Sequence, residues 1–247
     1  MISCDGMMRN LKLVITYDGT DFHGWQYQPN ARTIQGEVEA ALLRVTGEPA
    51  KLHGAGRTDQ GVHAQGQIAN FKTNSSMPVS DLCRALNALV GKSIVIADIA
   101  EVSPDFHSRF SAVGKVYQYH IIFKPSPFLA RYAWHVTYSL ELPAMDRVFK
   151  RLQGKHDFVH LSVHNGDDTG TVCVLNELNL TEHDSGIIIK IKADRFLRKM
   201  IRGIIGFAVD VSRGHYSVAD TEKVFQGQIT DLYFAPPHGL CLMEVIY

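Results

Sequence analysis

Several features that would narrow the field are missing from this chain. Its four cysteines (Cys4, Cys83, Cys173, Cys241) are scattered through 247 residues with no CxxC pair. That spacing argues for reduced thiols in a cytosolic protein and against a zinc cluster. No apolar run reaches the roughly 18 residues that a membrane span needs. The opening residues, MISCDGMMRNL, lack the basic-then-apolar layout of a signal peptide, and Met7 or Met8 offers an alternative start. A cytoplasmic location is therefore expected. Charge of one sign is also missing, with 25 Lys+Arg against 25 Asp+Glu. Residues 1–112 carry 10 basic and 11 acidic groups, and residues 113–247 carry 15 and 14. No global basic excess advertises a polyanion, so any surface for one must gather its cations locally.

What the chain does have is one dense glycine cluster. Residues 54–67, GAGRTDQGVHAQGQ, hold Gly54, Gly56, Gly61 and Gly66 around Arg57 and Asp59. Glycine costs conformational entropy on folding, so this density implies a backbone that turns tightly or approaches something closely. The side chains presented there are Arg57 and Asp59. A guanidinium two residues away favours the ionised carboxylate, and an ionised Asp on a bend is what covalent catalysis by carboxylate requires. An ordinary turn with a weak surface ion pair has the same residues. From this stretch alone the two readings stand level.

The length suits one large domain or two small ones. Alternating β-branched residues predict strands over 11–17, 65–71, 94–100, 115–123, 134–138, 171–181, 186–193 and 241–246, with a short one near 51–54. Helices are predicted over 34–45 behind Thr33, and over 81–89, 143–152, 196–211 and 217–225. Both halves mix strands and helices, which predicts an α+β fold with largely antiparallel sheets and helices on one face. The boundary is placed near 104–114, giving domains 8–105 and 106–247.

Positive charge gathers at Arg195, Arg198, Lys199 and Arg202, which share a face if 196–211 is helical. Gly206 would fall on that same face and let a phosphate approach. The stripe reads equally well as phosphate contacts or as the solvated face of an amphipathic helix. Tyr117 and Tyr119 share one face of a strand. Packing is the default for such a pair, and stacking on an extruded base is the alternative. His156, His160 and His164 have helical spacing, but β-branched residues and a Gly-Asp loop argue against a helix there, and with it against a metal site.

Order and spacing resolve what each signal leaves open. The blocks YDGTDFHGWQYQ (17–28), TIQGEVEAAL (33–42), GAGRTDQGVHAQGQIANF (54–71), ALN (85–87), FHSRFSAVGKVYQY (106–119), GKHDF (154–158), FLRKMIRGIIG (196–206) and APPHGLCLMEVIY (235–247) together resemble the TruA family of tRNA pseudouridine synthases over nearly the whole chain. The resemblance implies the pseudouridine synthase fold, with two α+β domains and an active-site cleft between them. It implies isomerisation of uridine to pseudouridine in tRNA, at positions 38, 39 and 40 of the anticodon arm, by a homodimer that uses no metal, nucleotide or redox cofactor. Asp59 matches the catalytic Asp and Tyr117 the tyrosine that stacks on the target base. Arg202 looks like the basic partner that holds the Asp, Leu240 like the apolar residue on the base's other face, and Arg57 like the arginine that flips the nucleotide. Arg195, Arg198 and Lys199 are the expected tRNA contacts.

The chain departs from the family pattern at Gln60, where Ala is usual, at Gly203, where Asn is frequent, at Cys173, where Arg is common, and over 160–168. Two other functions compete. A non-catalytic tRNA-binding or folding-chaperone protein would not need Asp59, whose charge repels phosphate. A hydrolase pairing Asp59 with His63 requires a water-activating arrangement that spacing does not supply.

Overall fold

The computed structural model describes residues 8–163 and 170–247. The chain divides into two compact units, one of residues 8–112 with Leu242–Tyr247, the other Val113–Cys241. Residues 106–112 and the end of the last strand thus pack with the first unit, where the sequence boundary put them with the second half. Hydrogen bonds account for this. Asn10 Nδ2 donates to the carbonyls of Ser103 and Phe106, and Tyr247 Oη donates to the carbonyl of Ser108 at 2.8 Å.

The first unit contains strand β1 (Arg9–Tyr17), helix α1 (Ile34–Thr46), β2 (His53–Gly54), β3 (His63–Thr73), helix α2 (Val79–Asn87) and β4 (Ile94–Val102). In its sheet β1 lies between β4 and β3, antiparallel to both. β2 pairs with β3. Leu11, Leu13 and Ile15 of β1 are fully buried while Lys12, Val14 and Thr16 between them are half-buried, so one face is core. α1 starts where the sequence predicts. Thr33 takes extended backbone and its Oγ1 accepts from Gly36 N–H, and Gly47 ends the helix in the left-handed region at φ 76°. Ile34, Val38, Ala41 and Leu42 form its buried stripe.

The second unit contains β5 (Gly114–Ile122), β6 (Trp134–His135), α3 (Leu142–Leu152), β7 (Gly154–Asp157), β8 (Val172–His183), β9 (Gly186–Ala193), α4 (Met200–Ser212) and α5 (Asp220–Phe225). The strand order is β5-β9-β8-β7, each pair antiparallel, with β6 parallel to β5. The last strand, β10 (Leu240–Ile246), lies beside β3. The α+β expectation holds.

Two elements differ from the sequence reading. The strand predicted over 134–138 is two residues long. The helix predicted from 196 begins only at Met200. Asp194 Oδ1 accepts from both Val174 N–H and Arg195 N–H, which draws the chain leaving β9 back towards β8. Lys199 then sits in the left-handed region at φ 59°, which no helix interior tolerates. Arg195, Arg198 and Lys199 therefore lie in an irregular segment ahead of α4, and the common basic helix face with Arg202 does not form. α4 is instead buried on nearly every side from Gly203 to Ser212. Gly206 faces no open surface: a Cβ there would lie 1.7 Å from the Tyr233 carbonyl oxygen.

Candidate active site

The Asp59 loop joins β2 to β3, and its glycines serve the two purposes the sequence suggested. Gly61 turns the chain at φ 77°, and Val62 N–H closes that turn on the Asp59 carbonyl at 3.1 Å. Gly54 permits close approach, since a Cβ there would meet the Trp25 indole at 2.6 Å. Trp25 is itself only 2% exposed, and its backbone N–H donates to the Thr58 carbonyl at 3.1 Å. Thr58 Oγ1 shares a hydrogen bond with Tyr17 Oη at 2.8 Å. Gln67 Nε2 holds the Gly56 carbonyl at 2.8 Å. Residues on both flanks of Asp59 are thus fixed to the buried sheet and to the 24–25 backbone. Asp59 itself is half-buried and Arg57 is exposed. A rigid backbone with a partly accessible carboxylate is the preorganised arrangement a nucleophile needs.

His63 follows that loop at the start of β3. It is 5% exposed, its Nδ1 accepts from Gly19 N–H at 3.1 Å and lies 3.2 Å from Asp18 Oδ1. Its ring braces the turn after β1.

In the second unit Tyr117 and Tyr119 lie on one face of β5, opposite Ile191 and Ile189 of β9. They have different surroundings. Tyr117 is 6% exposed and meets Phe196 edge-on, with centroids 5.2 Å apart at 82°. Tyr119 is fully buried and donates from Oη to the Pro236 carbonyl at 2.8 Å. Burial pushes its phenol well above the usual value, with Arg202 pulling the other way. Arg202, in the first turn of α4, donates from Nε to the Ala235 carbonyl at 2.7 Å. Tyr119 and Arg202 together grip two consecutive carbonyls, 235 and 236. Gly239 seats the same segment on the ring, because a Cβ there would lie 2.8 Å from Tyr119 Cζ. Leu240 follows at once, 6% exposed. One segment, 235–240, clamped by Tyr119, thus runs from the carbonyl that Arg202 holds to Leu240. The sequence reading treated Tyr119 as generic packing and did not single out Phe196. The signal for Tyr119 was its same-face spacing with Tyr117, two residues away.

The departures from the family pattern have local causes in part. Gly203 faces the Leu161 carbonyl, 2.3 Å from where a Cβ would be, so an Asn side chain does not fit this packing. Val163 N–H also bonds the Arg198 carbonyl at 2.9 Å. The change at 203 thus accompanies the altered segment that begins at 160; His164 and the rest of 164–169 lie outside the described residues. Cys173 is fully enclosed on β8, opposite His156. Burial raises its thiol to about 11, far from a reactive thiolate. Gln60 is exposed, and nothing in the structure explains its choice. His156 lies in β7 and stacks on Phe225 at 4.7 Å, while His160 lies in a short 3₁₀ turn (Val159–Leu161). Among the described residues no group of three or more His, Cys, Asp or Glu could hold a metal ion, and no helix is long and apolar enough to cross a membrane.

The model of the tRNA pseudouridine synthase family matches residues 13–111 and 148–247. The chain belongs to this family. It is 38% identical over 248 residues to tRNA pseudouridine synthase A of Thermoanaerobacter sp. (strain X514), covering 97% of this chain and all of that protein. To the protein of the same name from Aquifex aeolicus (strain VF5) it is 40% identical over 241 residues, with coverages of 97% and 100%. A solved structure, the archaeal box H/ACA sRNP Nop10-Cbf5 complex, aligns with a TM-score of 0.41 and 10% identity, over 94% of this chain and 48% of that one. Within the pseudouridine synthase family, both matched stretches include the residues singled out from the sequence: Arg57 and Asp59 in the first, Arg195, Arg198, Lys199, Arg202 and Leu240 in the second. Tyr117 falls between the two stretches.

Proposed function

We propose that this pseudouridine synthase isomerises uridine to pseudouridine at positions 38, 39 and 40 of the tRNA anticodon arm, with Asp59 as the nucleophile. The observation that carries the reading is the Asp59 loop, a glycine-supported bend fixed on both flanks that leaves its carboxylate half-accessible, in a chain that matches its relatives over 97% of its length. The reaction breaks the bond from ribose C1′ to uracil N1, turns the base, and joins C1′ to C5, which then releases its proton. A base within a stem must first leave its stack, at a cost of a few kcal/mol. Arg57, exposed beside the nucleophile, takes the role of offsetting that cost. Tyr117 and Leu240 supply apolar surfaces for the uracil, and Arg202 acts as the basic partner. Arg195, Arg198 and Lys199 contribute phosphate contacts from the irregular segment before α4. The active form in this reading is a cytoplasmic homodimer.

The test is tritium release from tRNA carrying 5-tritiated uridine, wild type beside Asp59→Asn, with the modified positions then mapped. Release by the wild type alone, at 38–40, is the expected result, with tRNA affinity of the variant largely kept. Release that persists in Asp59→Asn removes Asp59 from its role. Tight tRNA binding without release by the wild type would favour a non-catalytic tRNA-binding protein.

A further inference from the structure

Residues 106–110, FHSRF, match the family block but take no part in the roles assigned above. They belong to a segment that the first unit holds in an unusual way. Asn10 and Asn70 are buried, 2% and 3% exposed, and are diagonal neighbours across β1 and β3, Asn10 pairing with Lys72 and Asn70 with Lys12. Asn70 Nδ2 donates to Asn10 Oδ1 at 2.9 Å, Asn70 Oδ1 accepts from Ser108 N–H at 2.9 Å, and Asn10 Nδ2 reaches two carbonyls of the segment. Ser108 Oγ donates to the His53 carbonyl, and the Phe106 ring lies 5.0 Å from Tyr247. A fully satisfied buried polar network of this kind fixes one geometry.

What that geometry presents is a ladder of rings. His53 and His107 have centroids 5.1 Å apart, His107 and Phe110 4.4 Å. The Arg109 guanidinium stands 5.7 Å above the Phe110 ring. Phe110 is 77% exposed, so packing does not account for its place. Beside the ladder is an open groove of about 620 Å³ lined by Lys51, His53, Asn70, Lys72, Asp105 and His107 among others. Burial, then the nearby His107 and Lys51, lower the basicity of His53, with Glu39 pulling the other way. Lys51, Lys72 and Arg109 are all exposed. Stacking faces interleaved with Lys and Arg are the recognition chemistry of unpaired nucleotides.

We propose that this platform is a second tRNA subsite, in which Phe110 and His107 stack on an unpaired base while Lys51, Lys72 and Arg109 contact the flanking phosphates. It rests on the tRNA reading above, and concerns binding alone. The test compares wild type, Phe110→Ala and the double variant Lys51→Ala/Lys72→Ala by filter binding of tRNA across salt concentrations, by single-turnover isomerisation at saturating tRNA, and by sedimentation. Phe110→Ala should weaken binding about 5- to 150-fold, the range for losing one stacked base, with the saturating rate unchanged. The double variant should lower the slope of log K against log[salt] by about 1.4 to 1.8, for two lost phosphate contacts. Both substitutions are at exposed positions, and an unchanged melting curve confirms that the fold is kept. If the wild type neither binds nor isomerises tRNA, the tRNA reading fails and the subsite with it. If the wild type does both and the variants match it, the subsite alone is overturned. A loss of oligomer mass in Phe110→Ala with tRNA affinity per protomer unchanged overturns it as well, and assigns the ladder to self-association.

Discussion

At the scale of single residues, backbone placement explains more than side-chain chemistry does. Gly54 lies where any Cβ would strike the enclosed Trp25 indole. Gly54→Ala should therefore cost about 1–3 kcal/mol, as overpacking does. The measurement is the urea midpoint, expected to fall with an unchanged m value. Its isomerisation rate should fall too, because the Trp25 backbone N–H positions the Thr58 carbonyl next to Asp59. Cys173 gives a pH prediction. Its thiol is raised by burial from the ordinary 9.0 to about 11, against a smaller opposing pull from Arg195. Between those values the unfolded chain gives up the proton and the folded chain keeps it. The contribution to stability is complete below about pH 9 and is lost as pH rises towards 11. Urea midpoints measured across that window should fall less steeply in Cys173→Ala than in the wild type, and identical slopes would rule the thiol out as a source.

At the scale of elements, α4 carries the main lesson. Its residues have a helical pattern of basic positions from 195 to 202, and periodicity alone extends the helix to 196. The structure stops it at Met200 because Asp194 bonds two backbone N–H groups and Lys199 takes a left-handed conformation. Neither cause shows in a count of apolar spacing. Conversely, Gly203 and Gly206 looked like an unusual residue and an open phosphate approach. Each is a point where α4 packs directly on a carbonyl, of Leu161 and of Tyr233. Gly203→Asn should thus destabilise the protein by about 1–3 kcal/mol. It should also speed amide exchange at Val163, whose bond to the Arg198 carbonyl depends on this packing. Protection at Val163 equal to the wild type would show that the 159–163 segment is held independently of position 203.

At the scale of the whole molecule, a net charge of zero means that affinity for a polyanion depends on a few local groups and should respond sharply to losing one. Arg198 is exposed in the segment before α4. Arg198→Ala is expected to lower the salt slope of tRNA binding by about 0.7 to 0.9, the amount for one phosphate, while the tritium-release rate at saturating tRNA stays the same. A slope equal to that of the wild type would take Arg198 off the RNA path.

The sequence by itself determined the family, the α+β class, and the strands and helices whose patterns arise locally. β1 alternates because one sheet face is core, and α1 starts at Thr33 and ends at Gly47 because cap chemistry is encoded in neighbouring residues. It also drew attention to the 54–67 loop, where four glycines within fourteen residues surround Arg57 and Asp59. Only the tertiary structure decided which of two similar residues does what. Tyr117 and Tyr119 share a strand face, yet one packs against Phe196 and the other clamps the Pro236 carbonyl, 117 residues away. The fate of the basic stripe, the burial of Cys173 and the buried Asn10–Asn70 pair under the 103–110 segment were decided in the same way. These depend on contacts between segments far apart in the chain, and local periodicity has no term for the backbone that will arrive there.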